Sequence, residues 1–192
     1  MSPVLKVSIV TLEALAPSSQ KAVGIVFRLD PDLSLHRVKE PVTIPNGISW
    51  TLDNKSIYLT DSPTACITKY SYDPSSAKID FSSESTFFKC PIEGGVPDGH
   101  CQDVEGHFWV CMFGTGKVAR VNPHGQIVAE IELPTRCVTC PGICGEDLYI
   151  TSAAEEDPDK YPESVEMQGA VFKVNIGVQG CPLNKFRMAA KA

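Results

Sequence analysis

The chain has 192 residues, 43% hydrophobic and 21% charged, with a formal net charge of −6. These proportions belong to a folded globular domain and exclude the disordered class. The acidic balance, without any Lys/Arg-rich run, argues against nucleic acid or an anionic membrane as main partner, and no eighteen consecutive apolar residues offer a membrane span.

Residues 1–22 form an unassigned N-terminal segment. Val4 to Leu12 alternates apolar and polar residues as a strand does, and Ala16-Pro17-Ser18-Ser19-Gln20 reads as a turn or loop. The stretch lacks the continuous apolar run and the small-residue cleavage site of a signal peptide, so the expected address is intracellular, in the cytoplasm.

From residue 23 a rhythm sets in. Gly24-Ile25-Val26-Phe27-Arg28-Leu29-Asp30-Pro31 reads as a strand closed by Asp-Pro. Ile67 to Pro74 and Lys117 to Pro123 repeat it, and Ala170 to Asn175 repeats it without the proline. Between these copies lie units that open on Pro45-Asn46-Gly47 and Pro97-Asp98-Gly99, run through a short strand to a polar turn, and return on a strand carrying Tyr58 or Trp109. A third unit runs from Val138 to Ile143 and returns on Asp147 to Ser152. Each period thus holds about four short strands, and no stretch shows helical apolar spacing. Four strands every ~40–50 residues mark the blades of a β-propeller. The expected fold is all-β: three blades at 46–83, 98–131 and 138–174, plus the outer strands of a fourth at 24–39. That makes about three and a half blades, with residues 23–192 as one partial propeller.

Eight cysteines stand at 66, 90, 101, 111, 137, 140, 144 and 181. Cys137-x2-Cys140 and Cys144 have part of a zinc-site spacing, but no second Cys or His pair completes four ligands. Reduced thiols on strands are the expectation. By themselves Asn46-Gly47 and Asp98-Gly99 fit two readings, plain turns or placed oxygen donors, although Pro45 cannot donate to a ladder and sits where a paired strand should end.

Taken in order, these motifs resemble the SMP-30/gluconolactonase/regucalcin family. The resemblance rests on Pro45 to Trp50, Asp53-Asn54-Lys55, Tyr58, Asp61-Ser62 and Tyr72-Asp73; on Pro97-Asp98-Gly99, Asp103 to Gly106, Trp109-Val110, Gly116-Lys117-Val118 and Arg120; and on Asp147 to Ala153 with Gly169 to Val174. It covers about residues 23–188. The resemblance implies a six-bladed propeller, here shortened to its C-terminal part. It also implies lactone hydrolysis, with a sugar lactone such as gluconolactone as small-molecule substrate. A divalent cation in the central channel is implied too, Ca²⁺ first, with Zn²⁺, Mg²⁺ or Mn²⁺ as alternatives. Family members hold it with a Glu of the first blade, an Asn and an Asp. Asn46 and Asp98 match the last two as metal ligands, and Asp98 is also the candidate catalytic base. No counterpart of the Glu is found, since the surroundings of Glu13 do not resemble the first blade. A chain lacking that ligand is expected to bind metal weakly and to be catalytically poor.

Ala153 to Gln168, rich in Glu, Asp and Pro, reads as a solvated loop rather than a lid or cation site, because no EF-hand spacing is present. His100 is placed to line the channel or to pack. His36 and His124 read as exposed, Trp50 and Trp109 as inter-blade core. No Gly-x-Ser-x-Gly or P-loop supports a serine hydrolase or a nucleotide site. The competing expectation is a non-catalytic binding or scaffold module that self-associates through an open blade edge.

Overall fold

The computed structural model describes residues 24–183, 185, 186 and 188. Thirteen strands form four antiparallel sheets among these residues. β1 (Gly24–Leu29) pairs with β2 (Leu35–Val42). The second sheet runs in chain order through β3 (Pro45–Trp50), β4 (Ser56–Asp61), β5 (Cys66–Asp73) and β6 (Lys78–Lys89). The third repeats it with β7 (Val96–Gln102), β8 (Phe108–Phe113), β9 (Lys117–Val121) and β10 (Ile127–Glu132). The fourth holds β11 (Val138–Cys144), β12 (Asp147–Ser152) and β13 (Val171–Asn175). The expected blades are therefore present, and the Asp-Pro copies are the third strand of each. Their Asp and Asn close the turns that follow. Asp73 Oδ1 accepts the backbone N–H of Ser75, and Asn122 Oδ1 accepts those of His124 and Gln126.

Strand alternation assigns each side chain to one of two inter-sheet cores. On β8, Phe108, Val110 and Met112 pack toward the second sheet with Tyr58, Ile67 and Phe88. Trp109 and Cys111 face the other way, against Val138, Leu148 and Ile150 of the fourth sheet. β8 is buried on both faces, which is why it reads as a continuous apolar run. A third cluster, Ile57, Leu59, Tyr70 and Tyr72, lies on the opposite face of the second sheet. Trp109 is inter-blade core as expected. Trp50 is half-buried beside Tyr72, and its indole N–H is buried without a partner.

One expectation needs correction. The 153–168 connection between β12 and β13 is not simply solvated. Glu155 and Ser164 are buried within it. Arg136 donates to Glu155 at 2.6 Å and its guanidinium lies 3.3 Å from the Tyr161 ring centroid. Ser164 Oγ accepts the Arg136 backbone N–H at 2.8 Å. A segment rich in charge folds back because one of its carboxylates, itself buried, finds a half-buried cationic partner. Among the described residues no helix is long and apolar enough to cross a membrane.

Candidate functional site

The first strands of the three larger sheets, β3, β7 and β11, stand side by side. Each carries one break in register with its second strand. On β3 it falls between Pro45↔Asp61 and Ile48↔Leu59; on β7 between Pro97↔Met112 and His100↔Val110; on β11 between Val138↔Ser152 and Pro141↔Ile150. The residues inside the three breaks are Asn46-Gly47, Asp98-Gly99 and Thr139-Cys140. Bulges of this kind release residues from the ladder and re-aim their side chains. Asn46 and Asp98 therefore occupy the same structural position on neighbouring strands, and both are half-buried.

The glycines of the two motifs explain how closely the strands approach. A Cβ on Gly47 would fall 2.8 Å from the Asp98 carbonyl oxygen and 2.3 Å from His100 Nδ1. One on Gly99 would fall 2.9 Å from Cys140 Cα. Only glycine lets three bulges pack flank to flank.

β3 and β7 are tied along their whole length. At one end Ser62 Oγ donates to the Pro97 carbonyl at 2.7 Å and accepts the Asn46 side-chain amide at 3.2 Å. In the middle Ser49 Oγ lies 2.8 Å from His100 Nε2. At the other end Gln102 Nε2 donates to the Trp50 carbonyl at 2.8 Å. Asp61 steadies the entry to β3 by accepting the backbone N–H groups of Thr43 and Ile44. Ser62 and Asp61 belong to the Asp-Ser motif visible in the sequence, but their work was not. His100 packs rather than lining an open channel. It is buried against Phe108, and burial pushes its imidazole down to about 4.

The donor set fits a hard cation. Asn46 spends its amide nitrogen on Ser62, so its side-chain oxygen is the atom that could serve as a ligand, and Asp98 brings a carboxylate from the equivalent position. Asn46 and Asp98 would hold such an ion. In the third repeat the position belongs to Thr139. Glu13 lies outside the described residues.

A second cluster, Asp103, Glu105 and His107, brings its ligand atoms within 4.8 Å of one another. It sits beyond the far end of β7, and a guanidinium already fills it. Arg120 Nη2 donates to Asp103 at 2.7 Å and to Glu105 at 2.6 Å. Asp103 further accepts Trp109 Nε1 and the backbone N–H groups of Glu105 and His107. This is a charge-compensated brace of the hairpin, not a vacant cation seat. Cys137, Cys140 and Cys144 do not form a ligand group among the described residues.

Residues 9–154 match the family described as SMP-30/Gluconolactonase/LRE-like region. The chain belongs to this family. Regucalcin of Xenopus laevis is 32% identical over 162 residues, which are 82% of this chain and 54% of the relative. Pentonolactonase XacC of Haloferax volcanii is 30% identical over 171 residues, 85% of this chain and 58% of the relative. The structure of a calcium-binding protein, regucalcin, from Agrobacterium tumefaciens superposes with a TM-score of 0.74 at 24% identity, covering 89% of this chain and 57% of that one. The chain thus spans little more than half the length of the relatives it matches. The β-propeller architecture follows from the family and from this superposition together.

Proposed function

We propose that this chain carries the cation- and substrate-facing strands of a divalent-metal-dependent lactonase. The observation that supports it most is the shared bulge, which sets an amide oxygen and a carboxylate at equivalent places on adjacent strands. The relatives named for lactonase activity and for calcium binding support the same choice of chemistry.

A hard divalent cation, calcium first, supplies polarisation of the ester carbonyl when bound there. Asn46 contributes a neutral oxygen whose direction Ser62 fixes. Asp98 contributes a carboxylate able to take a proton from the attacking water. That water adds to the carbonyl carbon, the ring C–O bond breaks, and the proton passes to the leaving ring oxygen, giving the open hydroxy acid. With only Asn46 and Asp98 as ligands on the described strands, affinity is expected to be low. Gluconolactone hydrolysis is followed with calcium, zinc, magnesium and manganese, beside Asp98→Ala. Cation-dependent turnover that vanishes in the variant supports the proposal; turnover unchanged by the variant, or absent with every cation, refutes it.

A second reading is favoured by β13. Among the described residues it pairs with β12 alone, whereas β5 and β9 each carry a fourth strand outside them. That edge, unpaired among the described residues, is a template for strand addition by another chain or a second copy, as in a binding or scaffold module. Sedimentation over a concentration series tests it: a monomer throughout removes the self-association form of this reading.

A further inference from the structure

We infer that Thr139 is a substrate-reading residue of the same site; the inference rests on the lactonase reading and deepens it. Thr139 follows Val138, which pairs with Ser152, as Asn46 follows Pro45 and Asp98 follows Pro97 at their own breaks. The break closes again at Pro141↔Ile150, as it does at Ile48 and His100. The contact of Gly99 with Cys140 sets the third bulge directly against the second. Asn46, Asp98 and Thr139 therefore form one row across three strands: an amide, a carboxylate and a hydroxyl.

The chemistry of the third member differs from the first two. A neutral hydroxyl is a weak cation ligand beside a carboxylate, but it both donates and accepts hydrogen bonds. Thr139 is half-buried, so its hydroxyl is not sealed in a core. Its Oγ1 lies 2.7 Å from Thr151 Oγ1, and Thr151 Oγ1 in turn accepts the Cys140 N–H and reaches the Cys140 carbonyl, both at 3.2 Å. When Thr151 donates to that carbonyl, Thr139 donates to Thr151 and keeps its lone pairs for an incoming O–H. When Thr151 donates to Thr139 instead, the Thr139 proton is released toward the site. Either arrangement presents a positioned hydroxyl beside Asp98. A sugar lactone carries a hydroxyl on the carbon next to its reacting carbonyl and others further round the ring, and those are the groups such a residue recognises. Asp98 and Asn46 act on the carbonyl end; Thr139 acts on the ring hydroxyls.

The test is a selectivity ratio. kcat/KM is measured for glucono-δ-lactone and for unsubstituted δ-valerolactone, at saturating calcium, on the wild-type chain, Thr139→Val and Thr139→Ser. The expected result is a fall of about five- to tenfold in the glucono/valero ratio for the valine variant, the size of one lost neutral hydrogen bond, with the serine variant near wild type. A lowered melting temperature alone would reduce both substrates together and leave the ratio untouched. A ratio unchanged in Thr139→Val, while Asp98→Ala abolishes turnover, overturns the role of Thr139 and leaves the lactonase reading standing. Hydrolysis of neither lactone by the wild-type chain overturns both.

Discussion

The side-chain amide of Asn46 is held by Ser62, whose hydroxyl donates in turn to the carbonyl of Pro97 on the neighbouring strand. One hydroxyl thus links the residues on either side of the proposed cation seat. Ser62→Ala removes both bonds, takes a buried donor from the Pro97 carbonyl and frees the Asn46 amide to rotate. Loss of a residue that orients a ligand typically costs tenfold or more in metal affinity. Calorimetry should show calcium binding weakened about tenfold and unfolding eased by roughly 1–2 kcal/mol. Calcium affinity equal to wild type would show that Asn46 needs no such anchor.

Gly47 makes a sharper steric prediction. Its missing Cβ would meet the Asp98 carbonyl oxygen at 2.8 Å, and backbone cannot step aside as a side-chain tip can. Gly47→Ala should lower stability by about 2 kcal/mol or more. Gly142 is also on an inner strand, but a methyl added there would meet nothing within 4 Å. Gly142→Ala should therefore stay within about 0.5 kcal/mol of wild type. Urea midpoints of the two variants decide the matter, and equal midpoints would contradict the close approach of β3 and β7.

The strand rhythm, the Asp-Pro turns and the blade count were legible because they rest on local turn chemistry and period-two alternation. Asn46 and Asp98 were legible as a pair because Pro and Gly frame both. Thr139 was not. Within its bulge Thr139 follows Val138 and precedes Cys140, where the other two have Pro and Gly, so no letters mark it, and only the pairing of β11 with β12 reveals the shared position. A sequence clue did exist: the third unit carries a hydroxyl residue just after the valine that replaces the proline. The burial of Glu155 was equally hidden. An acidic, proline-containing run reads as solvated until a distant Arg136 is seen to reach it.

His100 gives the chain an acid-sensitive core. Its imidazole is pushed from 6.5 to about 4 by burial, and the groups facing it, Gly47, Ser49, Thr60 and Phe108, carry no charge. A histidine with a depressed folded value stays neutral while the unfolded chain takes up a proton. Stability is therefore unaffected above about pH 6.5, falls as pH drops toward 4, and levels off below. The loss is on the order of 3 kcal/mol across that window. His100→Gln, which keeps a hydrogen-bonding side chain but cannot titrate, should flatten the pH dependence of the melting temperature between 6.5 and 4. Parallel curves for wild type and variant would mean that His100 is accessible to protons in the folded state.

Glu155 makes the last case, with the opposite sign. Burial raises its pKa, but bonds from Ser164 and the Asp157 N–H, with the charge of Arg136, outweigh it and hold the carboxyl below its ordinary value. A carboxylate of that kind adds stability above its unfolded value near 4.5, and the contribution is lost as pH falls through the lower folded value. Glu155→Ala removes the acceptor at every pH. Arg136 is one-quarter exposed and can turn to water, so the cost is that of a partly screened charged hydrogen bond, about 1–2 kcal/mol. The cost falls on the 153–168 connection, because Arg136 and Ser164 meet this carboxylate and Arg136 in turn packs on the Tyr161 ring. An opening free energy lowered by 1.4 kcal/mol raises the open population about tenfold, and proteolysis tracks that population when reclosing is fast. Trypsin should therefore cut after Lys160 about tenfold faster in Glu155→Ala than in wild type at neutral pH. Wild type itself should approach the variant's rate once the pH falls through the lowered folded value and the carboxylate takes a proton, with both chains probed by an acid protease. Equal neutral-pH cleavage rates would show that the connection is held by its turns alone.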